Sequence, residues 1–81
     1  MPFELFSEVI LTTDLPEEDL RAGDVGTVVE RHIVPGKDDG YSVEFFDMTG
    51  QTLTVTTLEA RLLRAPTHAD RPAVRAITVK A

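Results

Sequence analysis

Turn-forming residues cut this sequence into segments too short for packed helices. Five glycines and five prolines, with the acidic clusters around them, separate five short runs: FSEVILTT (6–13), VGTVVERHIV (25–34), YSVEFF (41–46), QTLTVTT (51–57) and RLLRA (61–65). Most of these runs are rich in Val, Ile, Thr and Phe, which suit a pleated surface. A helix under about 12 residues is marginal without tertiary support. The spacing therefore predicts an all-β domain and argues against a helical bundle or an α+β arrangement. A single domain of 81 residues buries only roughly 60–65% of its unfolded surface, so each large apolar side chain inside it matters.

Alternation assigns faces to these runs. Val9 and Leu11 share one face of the first, and Tyr41, Val43 and Phe45 share one face of the third, which leaves Ser42, Glu44 and Phe46 on the other. In the fourth, Leu53 and Val55 point one way and the threonines the other, the pattern of a half-buried antiparallel strand. The connection DLPEEDLRAGD (14–24) reads as a long loop holding one helical turn. Pro16 suits the first helical position, Glu17, Glu18 and Asp19 complement its positive end, and Gly23 stops it. Leu15 and Leu20 pin the loop. Pro35-Gly36 ends the second run, Lys37, Asp38, Asp39 and Gly40 form a polar turn, DMTG (47–50) a tight one, and LEA (58–60) a 3₁₀ turn. The predicted fold is a small SH3-like barrel of five strands over residues 1–65, with a one-turn helix before the last strand. Residues 66–81 form a C-terminal extension, in which AVRAITVK (73–80) could add a strand to its own sheet or to a neighbour's.

Composition narrows the function. There is no cysteine, so disulfide frameworks and thiolate metal sites are excluded. The start MPFELFSEV has no basic segment ahead of an apolar one, unlike a signal peptide. No apolar run approaches the roughly 20 residues of a membrane helix. The expectation is a cytoplasmic protein with no membrane partner. The net charge of −6 is uneven: residues 1–65 carry thirteen acids and five bases, and residues 66–81 one acid and three bases. An acidic body repels phosphate backbones, which argues against nucleic acid as a partner.

Gly23-Asp24-Val25-Gly26-Thr27-Val28 is the lead-in to the second strand. A chain bending from a loop into a curved strand needs a position without a side chain, which Gly26 supplies, and Asp24 can accept bonds from nearby backbone donors. The Gly-x-Val step is similar to the KOW motif of ribosome-associated barrels. Its neighbours here are mostly acidic, and neither phosphate-loop glycine pattern is present. These residues are read as a structural turn.

Catalytic readings find little support. His32 and His68 are the only histidines and lie 36 residues apart, whereas a zinc site needs three or four ligands around one point. Ser7 and Ser42 lie in predicted strands without a nucleophile-elbow context. Asp38 and Asp39 read as solvated turn formers. No catalytic, cofactor or metal residue is assigned, and the chain is expected not to be an enzyme.

Over residues 6–65 the sequence resembles an uncharacterised bacterial family of short proteins, domain of unknown function 4926. The resemblance rests on LTTDLPEEDLRAGDVGTVVE, on YSVEFFDMTGQTLTVTTLEA and on Leu63-Arg64. It implies an SH3-like fold, no assigned activity, and a small partner, antitoxin-like or accessory, of another protein. More distantly the barrel is similar to those of electron-transfer accessory subunits and of the nitrile hydratase β-subunit, which act by docking. The expected function is thus a protein–protein interaction module. Its surface would combine Glu17, Glu18 and Asp19 of the first loop, Asp38 and Asp39 of the second turn, and Phe46, since aromatics anchor interfaces. The alternatives are a homo-oligomer assembled through 73–80 and a KOW-like nucleic-acid barrel.

Overall fold

A computed structural model describes residues 3–76. Five antiparallel strands, β1 (Glu8–Leu11), β2 (Val25–His32), β3 (Gly40–Phe46), β4 (Thr52–Glu59) and β5 (Leu63–Arg64), form one sheet. Their order is β4-β3-β2-β1-β5, and the sheet curls into a half-barrel. Among the described residues the only helical elements are 3₁₀ turns at Pro16–Glu18 and Ala60–Leu62.

Several boundaries differ from the sequence reading, each for a local reason. β1 starts at Glu8, not residue 6, because Phe6 adopts a left-handed φ of 66°, which no strand residue holds. β2 stops at His32, leaving Ile33 and Val34 exposed. β4 continues to Glu59, since Leu58 pairs with Tyr41, and this moves the second 3₁₀ turn from 58–60 to Ala60–Leu62. β5 has only two residues and pairs with Ile10 and Leu11 of β1. The turn in the first loop ends at Asp19, whose φ is 57°, before Gly23 is reached. Gly23, with φ 97°, instead shapes the approach to β2, where its N–H donates to Leu11 O at 2.7 Å.

The largest difference lies in β4. Leu53 and Val55 are the exposed apolar residues of this strand, while Thr54 and Thr56 are partly buried. Antiparallel partners share a face. Tyr41, Val43 and Phe45 of β3 fill the core, and they sit opposite Leu58, Thr56 and Thr54. The threonines are therefore carried inward by register. The β3–β4 turn sets that register. Asp47 Oδ1 accepts from Thr49 N at 2.8 Å, Thr49 Oγ1 at 2.7 Å and Gln51 N at 2.9 Å, and Gly50 takes a φ of 87°. These bonds hold the Asp47 carboxyl below the usual carboxylate range. A bulge between Phe45 and Phe46 then leaves Leu53 as the extra residue of β4.

One cluster forms the core: Val9, Leu11, Leu20, Val28, Tyr41, Val43, Phe45, Leu58 and Leu63. Tyr41 is fully buried, and its hydroxyl is satisfied by Phe3 N–H at 3.0 Å. The Phe3 ring packs edge-on against it with centroids 5.2 Å apart.

Residues 66–76 form no strand. The rest of the 73–80 segment lies outside the described residues. The described tail is tied down by charge. Arg64 forks onto Asp70 at 2.7 and 2.9 Å, and Asp70 also accepts from Thr67 N at 2.7 Å. Further on, Arg75 bonds Asp24 Oδ2 at 2.5 Å and Oδ1 at 3.2 Å. Hydrogen bonds from Arg64, first, and then Thr67 hold the Asp70 carboxyl well below the usual carboxylate range. A carboxyl depressed in the folded state adds stability above its unfolded value of 3.8 and loses it only as pH falls further. Protection of the Thr67 amide should therefore stay constant from neutral pH down to about 4 and fall below it. In Asp70→Asn it should already be low at neutral pH. Amide exchange with and without the substitution checks both.

Candidate interaction surface

The long first loop is stitched by its own acids. Leu15 and Leu20 exchange backbone bonds at 2.9 and 3.1 Å, and Leu20 is buried. Asp14 accepts from Ala22 N at 2.9 Å, and Asp24 Oδ2 accepts from Arg21 N at 2.9 Å. Asp24 thus closes the loop base and receives Arg75 at once. Glu17, Glu18 and Asp19 are exposed at the loop tip. At the lead-in to β2, Gly26 passes against β3. A Cβ there would lie 2.5 Å from Val43 Cγ1, 3.0 Å from Glu44 O and 3.1 Å from Phe45 Cδ1.

Asp38 and Asp39 occupy the turn beyond the other end of β2. Arg31 binds Asp39 through Nη2 at 2.8 Å and Nε at 3.2 Å. Asp38 borders an open depression with Gly36, Lys37 and Glu59. Phe46 closes β3 at the end where Phe45 pairs with Gly26. The 37–39 turn precedes Gly40, at the opposite end of β3. Six residue steps of strand, about 20 Å, therefore separate Phe46 from that turn. Phe46 and the base of the first loop lie at one end of β2 and β3, and Asp38 and Asp39 at the other. Phe46 and the Asp38–Asp39 turn are therefore not gathered into one patch.

Phe46 has different company. It is 39% exposed, and the exposed apolar residues nearest in register are Leu53, at the bulge, and Val55, opposite Glu44. Met48 projects from the intervening turn. These apolar side chains border β4, which pairs with β3 on one side and with no strand on its other side among the described residues. Alternation identifies Phe46 as outward facing. Leu53 and Val55 escape it, because an apolar residue alternating with threonine reads as the buried partner.

A second feature invisible to local pattern is a polar row across the outer face. His32 Nε2 lies 2.8 Å from Ser42 Oγ, which lies 3.1 Å from Thr57 Oγ1. Ser42 is buried. Serine and histidine at this distance resemble a nucleophile and its base, but the geometry stops there. Glu30 approaches the same Nε2 at 3.6 Å, whereas a carboxylate that orients a catalytic imidazole holds the opposite ring nitrogen. The row instead satisfies three polar side chains across β2, β3 and β4. Among the described residues no three His, Asp or Glu side chains converge as metal ligands, and no helix is long and apolar enough to cross a membrane.

The family model described as Domain of unknown function (DUF4926) matches residues 5–65. No curated protein and no solved structure matches the chain.

Proposed function

The chain belongs to the DUF4926 family, and from that premise we propose that it is a non-catalytic protein–protein interaction module. The observation that carries this reading is the exposed apolar group Phe46, Leu53 and Val55 beside the side of β4 that pairs with no strand among the described residues. Grouped apolar side chains on a small domain mark contact sites, and an aromatic is the usual anchor. The SH3-like description is supported by the long first loop, the 3₁₀ turn immediately before a short last strand, and the pairing of that strand with β1. The absence of cysteine suits a reducing cytoplasm. The family resemblance supports the role of accessory or antitoxin-like partner to another bacterial protein.

Phe46→Ala tests the surface. Wild-type and substituted chains serve as baits in extracts of the native host. A partner held through this face is retained by wild type and lost by Phe46→Ala. Equal recovery by both baits would place the contact elsewhere.

A further inference from the structure

We infer that the apolar margin of β4 pairs antiparallel with the same strand of a second copy, extending the two sheets into one. The inference rests on the interaction reading and names its partner. An edge strand exposes a row of unpaired N–H and C=O groups, and proteins block such edges with charges, prolines, β-bulges, short length or a covering element. The other sheet edge, β5, has two of these guards: it is two residues long, and Pro66 follows shortly after it. Beyond the bulge at Leu53, β4 has none. It is eight residues long, contains no proline, and its only charge is Glu59 at the very end.

Charge selects a copy of this strand as the occupant. The chain carries −6 overall, so two copies repel over most of their surface. Residues 51–58 are uncharged, and this edge can approach its equivalent without opposing like charges. A two-fold axis at Val55 sets Val55 against Val55, Leu53 against Thr57, and Gln51 against Glu59. The exposed apolar side chains of both copies then form one band across the joint, and neither Glu59 faces another acid. Cross-strand apolar pairs of this kind stabilise a sheet, and a two-fold contact is self-complementary by construction.

The sign of the salt effect follows. Two like-charged bodies repel less when screened, so association should strengthen as salt rises, opposite to a nucleic-acid complex, which weakens.

The full chain, 8.9 kDa, is followed by sedimentation equilibrium from micromolar to millimolar concentration, at low and high salt. The expected result is a rise toward twice the chain mass, larger at high salt, with β4 amides gaining exchange protection alongside it and β5 amides unchanged. Val55→Lys should remain at one chain mass. Ile33→Lys, also at an exposed apolar position but off this edge, should dimerise like wild type and control for the added charge. A wild-type chain of single mass throughout would overturn the inference. So would a dimer that Val55→Lys leaves intact, or one without added protection in β4. A single-mass chain whose bait still captures a protein in a Phe46-dependent way refutes self-pairing alone and leaves the interaction reading standing.

Discussion

Phe45→Ala is expected to destabilise the fold by about 3–5 kcal/mol, the range for truncating a buried aromatic. Phe45 is 1% exposed and lies in β3, between Gly26 on β2 and Thr54 on β4. Domains of this size have about 5–15 kcal/mol in all, and a small core places this one toward the lower end. Each kcal/mol moves the midpoint of so short a chain by about 4–8 °C, so Tm should fall by more than about 12 °C. Phe46→Ala, one residue further on, should cost only about 1 kcal/mol, the centre of the range for point substitutions, because its side chain is partly in water already. Thermal melts of the two variants side by side check the assignment of faces. Equal losses would mean that the alternation along β3 is wrong, and a folded Phe46→Ala chain is also what the binding experiment requires.

Gly26→Ala should be the most damaging one-carbon addition among the glycines. Gly23, Gly36 and Gly50 have positive φ but open space around them. Gly26 has an ordinary φ and no space: its Cβ would meet the buried Val43 side chain and the Glu44 carbonyl. Overpacking of this kind costs about 1–3 kcal/mol, and the upper part of the range applies because Val43 is fully buried and β-branched, with little rotamer freedom. The Val43 methyl is the closest obstacle, so Val43→Ala should relieve part of the clash. In a double-mutant cycle the combined loss should fall short of the summed single losses by at least about 0.5 kcal/mol. Additive losses in chemical denaturation would show that the carbonyl, not the methyl, is the barrier.

Local residue patterns carry a great deal of this protein. Frequent glycine and proline turns with β-branched runs between them lead to an all-β chain, and period-two alternation leads to Tyr41, Val43 and Phe45 inside with Phe46 outside. Leu15 and Leu20 as the pins of the first loop follow from its single apolar pair. What these patterns do not carry is pairing between runs. A threonine and a valine in alternation define two faces without saying which faces in, and a slip of one residue exchanges them. In β4 that choice was made by the Asp47 turn and by the side chains of β3 opposite. It moved Leu53 and Val55 from the expected interior to the surface, and with them the proposed contact site. Distance along the chain hides the other features in the same way. The row from His32 through Ser42 to Thr57, and the tie between Arg75 and Asp24, join residues whose neighbours in sequence give no hint of contact. The division has one physical cause: alternation and turn chemistry act over a few residues, whereas register and the long-range ion pairs exist only once the sheet has curled and brought distant segments into hydrogen-bonding range.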